Sequence, residues 1–261
     1  MPAMSLTNSH RALLLGYGSL LATVAGFVNA VAILTLAIPV GNLTATTTRL
    51  GMDAASPWLF ESSVLAFILI GFLMGAACAG AILAPAKTHA GVRHSAVMIG
   101  EALLLALAFA WSEHTVSVLL AAIACGLQNG TTSSLRTMQI RTTHFTGTVT
   151  DLGLIIGRSR LHGIDRWRAA VLSATVVTFV TGSIAGTILG TRIGEAALLV
   201  PAVVCVGIAL AGLAYDRRRP PQTSSSEPDH ARLGPGTMPR DAGDSYEPEI
   251  RDSSRAMYQV G

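Results

Sequence analysis

PWLFESSVLAFILIGFLMGAACAGAILA, residues 57–84, carries one charge, Glu61, near its start and none beyond it. A helix needs about 20 predominantly apolar residues to cross the ~30 Å hydrocarbon core of a bilayer. This stretch is long enough, and a Pro57-Trp58 pair sits at its edge. Indole rings favour the boundary between water and lipid. The stretch therefore reads as a transmembrane helix, and it sets the frame for the rest of the chain.

Five more blocks have the same character. They are residues 13–38, 95–111, 115–135, 167–190 and 195–215, and in the fourth the apolar part ends at Leu127. The fold class expected is an all-α membrane protein of about six transmembrane helices. Composition agrees. Charged residues make up 13% of the chain and hydrophobic ones 51%, against about 25% charged in soluble domains. Of the 18 basic and 15 acidic residues, eleven lie between Pro220 and Gly261, so residues 1–219 are poorer still in charge. The first apolar run outlasts the ~7–15 residues of a signal-peptide core and is read as an uncleaved span.

Residues 220–261 differ. They hold six of the eleven prolines, the Ser224-Ser225-Ser226 run and mixed charge. Such a segment buries too little apolar surface to offset its ordering entropy, so a disordered tail is expected. Basic residues near span ends set orientation. Six spans with the N-terminus inside put twelve of them, from Arg11 through Arg158 and Arg168 to Arg219, in the cytoplasm, and leave only Arg49 and Arg192 outside. Both termini are therefore expected to be cytoplasmic.

The halves of the chain echo each other. Gly26-Phe27-Val28-Asn29 precedes Gly126-Leu127-Gln128-Asn129 by one hundred residues. Thr46-Thr47-Thr48-Arg49-Leu50-Gly51 matches Thr148-Val149-Thr150-Asp151-Leu152-Gly153, and the run from Gly75 to Leu83 resembles the run from Gly182 to Leu189. Two repeats of three spans follow, residues 12–111 and 112–219, after a short N-terminal segment, 1–11. An odd span number inverts the second copy, as in many secondary transporters, whose sites lie between repeats where helices are broken. The polar run Gln128 to Ser134 either breaks the fourth helix inside the membrane or marks its exit; the sequence leaves both open.

These motifs carry a resemblance. Gly26 to Ala30, Gly41-Asn42-Leu43-Thr44, Gly126 to Asn129, Arg141-Thr142-Thr143 and Thr146 to Gly153 resemble the YoaK family, over about residues 12–215. The resemblance implies a multi-pass protein of the bacterial inner membrane. It implies no activity, because none is established for that family.

Five residues stand out as a candidate solute- or ion-binding set: Asn29, Glu101, Gln128, Asn129 and Asp151. A carboxylate at a helix centre costs roughly 2.5–3.5 kcal/mol on insertion scales, so Glu101 is either a proton or cation site or a residue wetted from the helix end. Asn29, Asn129 and Gln128 either bind solute or bridge helices through their amides. Asp151 and its counterpart Arg49 pair if both patterned connections, 37–56 and 136–166, re-enter the membrane; otherwise each is an ordinary solvated charge. Thr146, Thr148 and Thr150 suit either an ion-binding loop or an interfacial helix. Gly71, Gly75, Gly182, Gly186 and Gly190, like the cysteines Cys78, Cys125 and Cys205, are read as packing residues.

No phosphate-binding glycine loop, HExxH or nucleophile elbow is present, so no enzyme, cofactor or metal is expected. A net charge of +3 gives no reason to invoke nucleic acid. The expected partners are the lipid bilayer and a small solute or ion, and a homo-oligomer is compatible with a unit this small. The leading expectation is a small permease with a central polar site. The alternative is a non-transporting sensor or assembly component acting through its cytoplasmic loop and tail.

Overall fold

The computed structural model describes residues 8–56, 62–84, 90–134 and 145–218. The tail, Trp58, Lys87 and the Arg141-Thr142-Thr143 motif lie outside these. Among the described residues the order is α1 (Asn8–Leu36), α2 (Leu43–Ala55), α3 (Ser62–Leu83), α4 (Ala90–Ala110), α5 (Val116–Ser133), α6 (Phe145–His162), α7 (Arg166–Ile193), a 3-10 turn (Gly194–Leu198) and α8 (Leu199–Arg218).

Among the described residues four stretches are long and apolar enough to cross a membrane: Arg11–Thr35, Ser62–Leu83, Gly91–Ala110 and Arg166–Arg217. The last runs for 52 residues and contains both α7 and α8 with the 3-10 turn between them. Leu73, Val203 and Leu210 are exposed on the surface of such helices. Many large apolar side chains exposed along helices of this length are costly in water and ordinary in lipid. The chain is a multi-pass membrane protein.

Local chemistry explains the helix ends. Gly194 adopts φ 60°, a left-handed conformation that glycine reaches without a Cβ penalty, and the chain turns there from α7 towards α8. Asp165 caps α7 by accepting from the Arg168 N–H at 3.0 Å. Thr175, Thr178, Thr181 and Thr191 of α7 bond their hydroxyls back to main-chain carbonyls of the same helix. Thr175 and Thr178 donate to the carbonyls of Val171 and Ala174, one turn back, at 2.9 and 2.7 Å, a common solution for polar side chains on spanning helices.

The structure resolves one alternative the sequence left open: the helix that carries Gln128 is not broken there. α5 continues as helix to Ser133, with Thr131 and Thr132 bonded back to the carbonyls of Leu127 and Gln128. The two patterned connections are helical over much of their length, as α2 and α6.

Helices pack in three main pairs: α1 on α7, α3 on α5, and α4 on α8. Glycines permit the first two. A Cβ on Gly26 would strike the main chain of Phe179, and one on Gly182 the main chain of Thr23. In the other pair a Cβ on Gly126 would strike the main chain of Phe72, and one on Gly75 that of Ile123. Small residues allow this approach, and close packing replaces the hydrophobic effect as the force joining helices in lipid.

Candidate functional site

A cavity of about 730 Å³ lies where these two helix pairs meet the starts of α2 and α6. Its lining includes Asn29, Asn42, Leu43, Thr44, Phe72, Asn129, Ser133, Phe145, Thr146 and Phe179. Phe72 stands ten residues after Ser62 and eleven before Leu83, so it marks the middle of α3. Phe179 stands thirteen residues after Arg166 and fourteen before Ile193, the middle of α7. The cavity therefore sits at mid-height of both helices.

The bend between α1 and α2 delivers two of its walls. Ala37 takes φ 55°, and Pro39 bars the preceding residue from helical geometry, so α1 stops. Asn29 reaches across the bend, its Oδ1 accepting from the Gly41 N–H at 3.2 Å. Asn42 then starts α2, its Oδ1 accepting from the Ala45 N–H at 3.2 Å. Leu43 and Thr44, the first residues of α2, face the cavity, as do Phe145 and Thr146, the first residues of α6. The Phe145 and Phe179 rings pack with centroids 4.3 Å apart. Asn129, on α5, keeps its Oδ1 sealed from solvent without a hydrogen-bond partner.

Of the five residues singled out from the sequence, the cavity gathers Asn29 and Asn129. Gln128 is buried, and its Nε2 donates to the Leu21 carbonyl at 3.0 Å, joining α5 to α1. Glu101 is sealed inside the bundle at 1% exposure, and its Oε2 has no hydrogen-bond partner. Tyr17, Cys125 and Cys205 are titratable groups near it in the bundle. The Tyr17 hydroxyl in turn shares a hydrogen bond with His94 Nε2, on the face of α4 two turns before Glu101. Asp151 is exposed, and it pairs with Arg168 at 2.8 Å, linking α6 to α7. Arg49 lines a separate cavity of about 570 Å³ with Glu113 and His114. Asp151 and Arg49 thus occupy different surroundings.

Phe72 and Phe179 were not singled out by sequence reasoning, and Phe145 only as part of an interfacial helical face. The signal was present, since Phe72 and Phe179 each stand three residues before a matched glycine, Gly75 and Gly182.

A family model described as "Protein of unknown function (DUF1275)" matches residues 17–211. The chain belongs to the DUF1275 family. Every residue that lines the cavity falls inside the matched segment. The cavity is thus part of the body the DUF1275 family shares in extent, and residues 220–261 lie beyond it. No curated protein and no solved structure matches the chain.

Proposed function

We propose that this chain is a small-solute or ion permease of the bacterial inner membrane, with its site in the cavity between two inverted three-helix repeats. In this reading α1, α3 and α4 form the first repeat and α5, α7 and α8 the second. The polar end of α5 is tolerated because it faces protein and a cavity rather than lipid. α2 and α6 are the short helices that follow the first span of each repeat. Both termini face the cytoplasm, and the protein is not an enzyme. The likeness to YoaK proteins belongs to the same proposal.

The observation that carries it is the make-up of the cavity wall. Residues at matching places in the two halves meet there: Asn29 with Asn129, Phe72 with Phe179, Leu43 with Phe145, and Thr44 with Thr146. The close contacts are reciprocal as well, Gly26 on Phe179 and Gly126 on Phe72. Secondary-transporter sites near mid-membrane are commonly lined from both repeats at the repeat interface. A solid apolar bundle would have favoured the sensor or assembly reading.

Uptake and export profiling of a deletion strain tests the proposal. Loss of the protein should change the handling of at least one small solute. The wild-type chain should restore it, and Asn129→Leu at equal membrane abundance should not. An unchanged profile, or full rescue by Asn129→Leu, sinks the permease reading.

A further inference from the structure

Glu101 stands eleven residues after Ala90 and nine before Ala110, at the middle of α4. It does not line the cavity. At 1% exposure its Oε2 meets no hydrogen-bond donor among the described residues. Charge taken out of water is costly unless a cation or a full set of donors compensates it. The groups that surround Glu101 supply no cation. α1, α5 and α8 bring Tyr17, Cys125 and Cys205 near it. α3 and the 3-10 turn also pack on α4; among the described residues their titratable groups are Cys78, which is exposed, and Glu195. On α4 itself, the Arg93 guanidinium donates to the Ile82 carbonyl at 3.2 Å, at the surface. One bound proton answers both needs of Glu101, because it removes the charge and turns an acceptor oxygen into a donor. Carboxyls placed like this inside spanning bundles mark proton relays.

A route to water lies on the same helix. His94 precedes Glu101 by seven residues, two helical turns, and so shares its face. It is the fifth residue of α4 and only half-buried. Its Nε2 is hydrogen-bonded to the Tyr17 hydroxyl of α1. The main chains of α1 and α4 do not approach each other closely, so these two side chains reach across the space between the helices. The start of α4 is also the charged end of the bundle. Gly91 lies against the Asp216 carboxylate near the end of α8, where Arg217 and Arg218 follow.

We propose that Glu101 is a proton-binding site that exchanges with water through His94 and Tyr17, at the end of the bundle where α4 starts and α8 finishes. In loading, a proton from water joins Nδ1 of His94. The Nε2 proton passes to the Tyr17 oxygen, and the Tyr17 hydroxyl proton passes on to the Glu101 carboxylate. His94 and Tyr17 each gain one proton and lose one, so only Glu101 changes charge, from carboxylate to neutral acid. Unloading runs the same steps in reverse. The site goes beyond the permease reading and does not depend on it.

Infrared difference spectroscopy of the purified full-length chain in detergent, stepped from alkaline to acid pH, tests this. The acid step should raise a carboxylic C=O band in the wild type that is missing from Glu101→Gln. After a rapid pH jump, Tyr17→Phe and His94→Gln should reach the wild-type band amplitude about a hundredfold more slowly, the loss expected when a relaying acid–base group is removed. A purely structural role for either residue would change the band itself and leave its rate alone. Identical spectra for wild type and Glu101→Gln overturn the proton site, and wild-type rates in a folded Tyr17→Phe or His94→Gln overturn the route. If Glu101→Gln fails to fold, dicyclohexylcarbodiimide, an apolar reagent that adds to protonated carboxyls, decides on the wild-type chain. Mass mapping should place its adduct on Glu101, with a yield that falls as pH rises; no adduct there, or one indifferent to pH, overturns the proposal. Titration of Glu101 without solute flux in proteoliposomes keeps this inference and removes the permease reading. Solute flux without titration of Glu101 does the reverse.

Discussion

Gly26 of α1 lies against the main chain of Phe179 of α7, with no room for a methyl group between them. The same relation holds between Gly126 of α5 and Phe72 of α3. These two contacts bring four helices to a common level, and the two phenylalanine rings join the cavity wall there.

Gly26→Ala and Gly126→Ala should each destabilise the protein by about 1–3 kcal/mol, because the colliding atoms are backbone and cannot rotate away. Gly207→Ala, where nothing stands within 4 Å of the added carbon, should be neutral or slightly stabilising. Thermal unfolding in detergent measures both. Equal tolerance at Gly26 and Gly207 would disprove the close approach.

Gln128→Leu removes the bond to the Leu21 carbonyl. Interhelical side-chain hydrogen bonds in membranes average about 0.6 kcal/mol and reach about 1.7, so the loss in stability should fall in that range. Solute flux should stay unchanged, because Gln128 does not line the cavity. A flux defect in a well-folded Gln128→Leu protein would move this residue back into the site.

Glu101→Gln preserves shape while removing the ionisable group from its sealed position. The expected outcome is a folded protein whose flux no longer varies with pH. Tyr17, His94, Cys125 and Cys205 are the other titratable groups gathered on this side of the bundle. Flux measured across a pH series in proteoliposomes checks it, and an undiminished pH response would take Glu101 out of the mechanism.

Asp151→Asn breaks the ion pair with Arg168, whose side chains are 58% and 41% exposed. Exposed pairs contribute about 0–1 kcal/mol and are screened by salt. The unfolding midpoint should therefore shift little, and less at high ionic strength. A large, salt-insensitive loss would mean that Asp151 has a buried role this geometry does not give it.

Much of this architecture is legible in the sequence. Residues 57–84 announce lipid as the solvent, and Gly26 to Asn29 with Gly126 to Asn129 mark equivalent places in the two halves. α4 starts five residues before the expected span, taking Arg93 and His94 into the helix, because helix geometry continues past the apolar limit that hydropathy detects. Gln128 and Glu101 were equal candidates with Asn129 in the sequence. A buried polar residue on a spanning helix reads the same whether it glues helices together or faces a cavity.

Amino-acid order alone determined which solvent surrounds the chain and which segments are helical, since both follow from local composition and short-range hydrogen bonding. Only the folded arrangement decided that Asn129 faces a cavity while its neighbour Gln128 is tied to Leu21, and that Phe72 and Phe179 share one wall. Those outcomes depend on the angle and depth at which helices distant along the chain cross, and that is set by close packing at glycines rather than by any single segment.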